Sequence, residues 1–447
     1  MFPGNRLFLL FVVVFLPGIT LVGSDSAYLP MGLLFILVGA LILCSDILFS
    51  FRLTSKVKLV FEPLYRLTCN VEDQIIITID NPERKRLMLR IGISFPDSIT
   101  CENRVRDLTL TKDLAIQLEW PCKPMTRGLF HIDQCCFEVR SMFGFFYFRK
   151  EVKNLFEIKV YPNLNKEYRK LASMFLNRNP EGAHTWKMLG KGREFEKLRE
   201  YIPGDSFNDI HWKTSAKRGK PVTKVYQIEK TQHVYVVIDN SMQSGKMLQL
   251  AKNDSGSGQL RSCLEQYISS SLIMASAAQR HGDCFGLLTF SNRAETFIKA
   301  GRGPRHYNLF RDALYNLQVQ DVNQDFHDVI STIRLKIPRR SMILFLTHLD
   351  DSVLAEEFLH SVSLISQKHL VVVGVMQDRN VHALFKEPVV QEYQLIEQLE
   401  NHFTWQNLAN LERQLRSCNV QLFKFQPEKI SAQLINAYIT IKQKQLI

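Results

Sequence analysis

Apolar positions follow three regimes along the chain. Residues 7–22 and 29–44 are nearly unbroken apolar runs. From about residue 56 to 161 apolar residues come in short stretches between turn formers, and from Val234 onward short apolar strands alternate with stretches of helical period. The first regime predicts two helices, over about 7–23 and 29–50, each near the roughly 20 residues that cross a bilayer. The second has strand candidates at 57–61, 75–79, 87–91, 114–118, 129–132 and 137–139, with turn chemistry at Asp80-Asn-Pro82 and Thr126-Arg-Gly128 between them. Many short strands at this spacing predict a β-sandwich-like domain. Strand candidates in the third regime are 234–239, 285–290, 342–347, 370–375 and 420–425, with helices at 260–280, 304–317, 324–335, 352–367, 391–417 and 428–445. Such alternation predicts an α/β domain, an open and mostly parallel sheet flanked by helices. Its functional loops belong at the carboxyl ends of the strands.

The resulting organisation is a two-helix transmembrane hairpin over 1–52, a β-rich domain over 53–165, a basic linking segment over 166–230 and an α/β domain over 231–447. At 447 residues the chain is too long for one ordinary core. Charge orients the hairpin. Arg6 precedes the first apolar run, Arg52, Lys56 and Lys58 follow the second, and the connector 23–27 carries one acid and no base. Positive outer flanks predict both ends, and the main body, on the cytosolic side of the cytoplasmic membrane. A cleavable signal peptide with Arg6 as its basic region is the competing reading. Asp46, at the end of the second run, is expected at the interface, facing the cytosol.

The formal charge of +12 suits nucleic acid, anionic lipid or an acidic partner, and does not choose among them. Nine cysteines without a CxxC pair predict neither a zinc site nor a disulfide framework, and adjacent Cys135 and Cys136 read as strand neighbours on opposite faces. The run 143–148, Phe-Gly-Phe-Phe-Tyr-Phe, reads as a strand with a glycine bulge. No GxGxxG, phosphate loop, GxSxG elbow or HExxH occurs in the context its chemistry needs. What remains is the end of the strand at 234–239, where Asp239 is followed by Ser241 and Ser244. An acid and hydroxyls at that position are hard oxygen donors suited to Mg²⁺, and they are equally ordinary strand-end caps.

Between Trp186 and Lys230 the chain carries 11 Lys and Arg against 6 Asp and Glu, with Trp186, Phe195, Tyr201, Phe207, Trp212 and Tyr226 interleaved. Basic residues among aromatics can bind single-stranded nucleic acid. The preferred reading packs Trp212 and Tyr201 on the sheet, makes Pro203-Gly204-Asp205 a turn, and expects no nucleic acid.

The segment from Phe195 to Arg218, with Arg199, Tyr201, Gly204, Asp205, Trp212, Lys213 and Arg218, resembles the bacterial membrane family called domain of unknown function 58. Thr126-Arg-Gly128 and Met142-Phe-Gly144 extend the resemblance into the β-rich part, so that it covers nearly the whole chain. Family positions held by an arginine and an acid are Asn208 and His211 here. The resemblance implies a von Willebrand factor A-like C-terminal domain. The preferred reading is a non-enzymatic, membrane-tethered interaction module, and the resemblance implies a MoxR-type AAA+ ATPase as its partner. A metal-binding A domain would use a DxSxS loop, a threonine from a second loop and an aspartate from a third. Asp239 and Ser241 match, but the fifth position is Gln243 with Ser244 one step late. The second loop shows Gln324-Asp325 and the third Thr347-His348, with Asp350 and Asp351 the nearest carboxylates. A degenerate site from Asp239, Ser241, Ser244 and Asp350 is therefore expected to hold Mg²⁺ weakly, and no cofactor is expected. Two alternatives stay open, namely metal-dependent ligand binding at that site and a hydrolase built on Asp205, His211 and the Asp239 loop.

Overall fold

Two helices, Asn5–Gly23 and Leu29–Lys56, stand where the unbroken apolar runs put them, and both are long and apolar enough to cross a membrane. They pack closely through glycine. A side chain at Gly32 would begin 2.8 Å from the carbonyl oxygen of Gly18 and 2.7 Å from Val22, the small-residue contact that lets apolar helices approach. In this computed structural model the chain divides into two units, Met1–Asn163 and Leu164–Ile447. The structure describes residues 1–23, 28–82, 86–111, 115–165, 167–169, 171, 189–202, 207–227, 232–249, 260–377, 381 and 392–443.

The rest of the first unit is a sandwich. One sheet runs Val105–Leu110, Leu87–Ile93, Gly128–Arg140 and Phe146–Tyr161 in spatial order, with Leu64–Thr68 and Phe2–Pro3 also pairing along Phe146–Tyr161. The other runs Lys58–Phe61, Asp73–Asp80, Ala115–Pro124 and Ile99–Cys101. Alternate residues of facing strands, Ile75, Ile77, Ile79 and Trp120 from one sheet and Leu89, Ile91, Phe137 and Ile158 from the other, close a single core. Cys135 is buried and Cys136 is not, as alternation requires. Residues 143–148 differ from the expected bulged strand. Met142 to Phe145 form a turn and the strand starts only at Phe146, because Gly144 takes a φ of +81°, which other residues rarely adopt.

Asp46 also departs from expectation. It is buried rather than solvent-facing, and its Oδ1 accepts the Phe143 amide at 3.2 Å. One turn on, the Ser50 hydroxyl accepts the Met142 amide at 3.2 Å. The turn of the sandwich is thus fastened to the end of the second helix. Across the turn, the Gly4 amide donates to the Phe145 carbonyl at 2.7 Å just before the first helix.

The second unit is built on a six-stranded sheet. Its strands are β1 (His233–Asp239), β2 (Cys284–Phe290), β3 (Ala294–Gly301), β4 (Met342–Leu346), β5 (Leu370–Met376) and β6 (Gln421–Phe425), in the spatial order β3-β2-β1-β4-β5-β6. All neighbours are parallel except the edge pair β2 and β3. The five parallel strands are the apolar runs of the sequence, and helices cover both faces: α1 (Cys263–Arg280), α2 (Pro304–Leu314), α3 (Phe326–Lys336), α4 (Ser352–Ser366), α5 (Glu392–Ser417) and α6 (Ile430–Gln443). Separate apolar clusters on the two faces, around Tyr267 and around Phe358, fill the two layers. Strand order and the single antiparallel edge fit the von Willebrand A-like sheet that the resemblance implies.

Before β1, Leu189–Glu200 pairs antiparallel with Val222–Gln227, and a short helix, Trp212–Arg218, returns the chain between them.

Candidate functional site

From β1 the chain first builds β2 on one side and later β4 on the other, so the carboxyl ends of β1 and β4 form the switch point where open α/β sheets present ligand-binding loops. Asp239 ends β1 there, fully buried. Its Oδ1 accepts the Ser241 amide at 2.9 Å, and its Oδ2 accepts the hydroxyl of Thr347, which follows β4, at 2.7 Å. The His348 amide also donates to this carboxylate. Gln324 completes the bridge. Its Oε1 lies 3.3 Å from the Thr347 hydroxyl and its Nε2 donates to the His348 carbonyl at 3.1 Å.

The third-loop position opposite Asp239 is therefore a hydroxyl donor, not a second carboxylate. Asp350 turns elsewhere, 3.7 Å from the Lys246 ammonium. Asp351 is the N-cap of α4 and accepts the Val353 amide at 2.9 Å, while Asp325 caps α3 in the same way at 2.8 Å. Ser244 donates to the Ser241 carbonyl at 2.7 Å. Of the four residues expected to hold a metal, Asp239 and Ser241 stand together, Ser244 is engaged with backbone, and Asp350 is paired with lysine. Among the described residues no group of three or more His, Cys, Asp or Glu stands close enough to hold an ion.

Electrostatics follow from burial. Loss of water pushes the Asp239 carboxyl above its ordinary range, and its hydrogen bonds only partly oppose that. Burial likewise raises Asp350, with Lys246 pulling the other way. Tyr267 of α1, also fully buried and raised by burial, donates to the Thr347 carbonyl at 3.0 Å and lies 3.4 Å from His348 Nδ1. α1 carries Ser270 and Ser271 inside the fold by bonding both hydroxyls back to the Tyr267 carbonyl, at 3.1 and 2.6 Å. Sequence reasoning missed Tyr267. A lone aromatic in a helical apolar stripe carries no signal beyond burial.

The basic segment is arranged differently from expectation. Ile210, not Trp212, is the anchor. Ile210 is buried and bridges to Thr223, and the His211 amide donates to the Val222 carbonyl at 2.8 Å. Trp212 is 69% exposed, Phe207 72% and Ile202 54%, so the expected packing of Trp212 on the sheet does not occur. Tyr201 is half-buried with its ring 6.0 Å from that of Phe207. The reason is local. His211 Nδ1 accepts the Thr214 amide at 3.1 Å as the helix N-cap, which turns the first helical residue, Trp212, outward. Lys213, Lys217, Arg218 and Lys220 are exposed beside it, and Arg199 is half-buried on the paired strand. Gly204 and Asp205 lie outside the described residues.

The family described as protein of unknown function DUF58 matches residues 197–400. Similar solved structures include the von Willebrand A domain of SpRpn10, 14% identical over 46% of this chain and 95% of that one, at a TM-score of 0.28. Conserved hypothetical protein BatB from Bacteroides thetaiotaomicron is 13% identical over 48% of this chain and 99% of that one, at 0.30. Proximal thread matrix protein 1 from the mussel byssus, solved with a zinc-occupied MIDAS motif, is 15% identical over 48% of this chain and 44% of that one, at 0.25. No curated protein matches the chain.

Proposed function

From the match of residues 197–400 to the DUF58 family we propose that the chain is a non-enzymatic, membrane-anchored protein-interaction module whose soluble parts face the cytosol. The observation that carries this reading is the exposure of Ile202, Phe207 and Trp212 in the same segment as exposed Lys213, Lys217 and Arg218. Aromatic side chains left in water next to Lys and Arg cost solvation unless a partner covers them, and Trp and Arg are the residues that most often dominate interfaces. A MoxR-type AAA+ ATPase is the partner assigned here, with the positive face meeting an acidic surface. Anchoring rests on the two apolar helices, whose outer ends both join the sandwich. If they cross a bilayer, they cross it as a hairpin. Confinement at the membrane raises the module's effective concentration near other membrane components.

Metal-dependent binding takes second place because both oxygens of Asp239 accept hydrogen bonds, from the Ser241 amide and the Thr347 hydroxyl, and Lys246 pairs with Asp350. A hydrolase is less well supported still, since Asp239 and His348 are buried and His211 Nδ1 serves as a cap.

The test is affinity capture from detergent-solubilised membranes with the intact chain and with Trp212→Ala and Phe207→Ala variants. Selective recovery of an AAA+ ATPase by the intact chain, reduced at least about tenfold by either variant, is expected. Recovery of the same proteins by all three forms sinks the assignment of this face.

A further inference from the structure

Within the first unit a cavity of about 520 Å³ opens where the helix ends meet the sandwich. Arg6, at the start of the first helix, Arg86, just before the strand Leu87–Ile93, and Arg140, at the end of Gly128–Arg140, all line it. No Asp or Glu is among its described lining residues. The remaining wall includes Phe49 of the second helix, Met88 and Met142, all exposed large apolar side chains. The site is therefore half guanidinium and half apolar.

Its position is fixed by contacts already described. Arg6 Nη1 donates to the Phe143 carbonyl at 3.3 Å, while Asp46 and Ser50 of the second helix hold the amides of Phe143 and Met142. The cavity thus sits level with the outer ends of both apolar helices, which for a membrane hairpin is the depth of the lipid headgroups. Arg140 is held over the turn. A side chain at Gly144 would meet its guanidinium at 2.7 Å, so glycine there leaves the space that the arginine fills. Arg140 Nη1 lies 3.6 Å from Met88 Sδ, and neither Arg140 nor Arg86 has a carboxylate partner among the described residues.

We propose that this cavity binds the headgroup phosphate of an anionic glycerophospholipid, with Arg6, Arg86 and Arg140 on the phosphate and Phe49, Met88 and Met142 against the glycerol and first methylenes. The planar guanidinium fork can donate two parallel hydrogen bonds to a pair of phosphate oxygens. Net positive charge selects an anionic headgroup over a zwitterionic one. The apolar wall selects a lipid over free phosphate, which has nothing to place there. The inference rests on the membrane-anchored reading only for the source of the lipid. The cavity itself belongs to the sandwich and helix ends and can be probed in detergent.

The full chain, purified in non-ionic detergent, is mixed with equal amounts of phosphatidylglycerol and phosphatidylcholine of the same chain length, and retained lipid is read by native mass spectrometry. Phosphatidylglycerol is expected to be retained over phosphatidylcholine by at least about tenfold, and excess inorganic phosphate should not displace it. R86A/R140A should lose most of that preference, and Arg86→Glu, a change at an exposed position, should lose it while melting as the wild type does. Equal retention of the two lipids, an undiminished preference in Arg86→Glu, or displacement by inorganic phosphate each overturns the proposal, the last by making it a free-anion site. Recovery of the wild type in the soluble fraction after cell breakage would instead sink the anchoring reading, and leaves the detergent measurement to decide the site.

Discussion

Asp239 is a carboxylate whose surroundings favour its neutral form, and that has a sign. Its folded-state pKa lies above the ordinary value of 3.8, so the stability it contributes is fully present below about pH 3.8 and is lost as pH rises through the folded value. At neutral pH its charge therefore opposes folding. Asp239→Asn keeps an acceptor oxygen for the Ser241 amide, and Thr347 can turn its hydroxyl hydrogen to Gln324. We expect this variant to be more stable than wild type at pH 8, with a smaller gap at pH 5, by urea denaturation. Asp239→Ala should instead lose about 1–3 kcal/mol, because it leaves buried donors without an acceptor. Added Mg²⁺ should not raise the melting temperature, and a rise that Asp239→Asn abolishes would restore the metal reading. Ile210 and Trp212 form a second contrast. Truncating buried Ile210 to Ala is expected to cost about 2–4 kcal/mol, and truncating exposed Trp212 less than about 0.5 kcal/mol. Equal losses would mean that Trp212 packs after all.

Among the elements, α6 is fastened by a group that no strand pattern announces. Asp283, fully buried just before β2, accepts the Tyr438 hydroxyl, pairs with Lys442 at 2.6 Å and takes the Gln232 amide ahead of β1 at 3.0 Å. Removing the carboxylate strands a half-buried ammonium and a phenol together. Asp283→Ala is therefore expected to cost about 3–5 kcal/mol, with Lys442→Met milder because Tyr438 and Gln232 still satisfy the acid. A loss below about 1 kcal/mol in Asp283→Ala, by urea denaturation, would show α6 held by its apolar face alone. The legible elements were those whose side chains share one environment. β1, β2, β4 and β5 are buried on both faces and read as unbroken apolar runs, and α3 and α4 begin at the Asp caps 325 and 351. β3 was not legible. It is an edge strand with an irregular register, and its polar Glu295, Thr296 and Lys299 interrupt the pattern. Of Phe146–Tyr161 only the first three residues were legible, inside the expected strand 143–148, because Arg149, Lys150, Glu151 and Lys153 interrupt the apolar pattern beyond them. At the site, Asp239, Gln324 and Thr347 were legible as loop positions. Which oxygen meets which donor depends on rotamers and burial that spacing does not carry, and the outward turn of Trp212 depends on a histidine cap.

For the molecule as a whole, the two units own separate cores, one closed by Trp120 and Ile75 and the other layered on both faces of the β1 to β6 sheet. Calorimetry of the full chain in detergent should resolve two transitions, and Asp283→Ala should lower only one of them. A single transition shifted as a unit would mean that the cores unfold together. A reporter fused after Ile447 is expected to be active only on the cytosolic side. The seam between Phe2–Pro3 and Phe146–Tyr161 bears on how such a protein is made. Phe2 finds its strand partner only after 145 further residues have been synthesised, waiting for Tyr147 as Gly4 waits for Phe145. By then both apolar helices have left the ribosome. Were only one of the two helices to cross a bilayer, Phe2–Pro3 would lie across the lipid from Phe146–Tyr161, so completion of the sandwich is itself a check that the two helices insert as a pair.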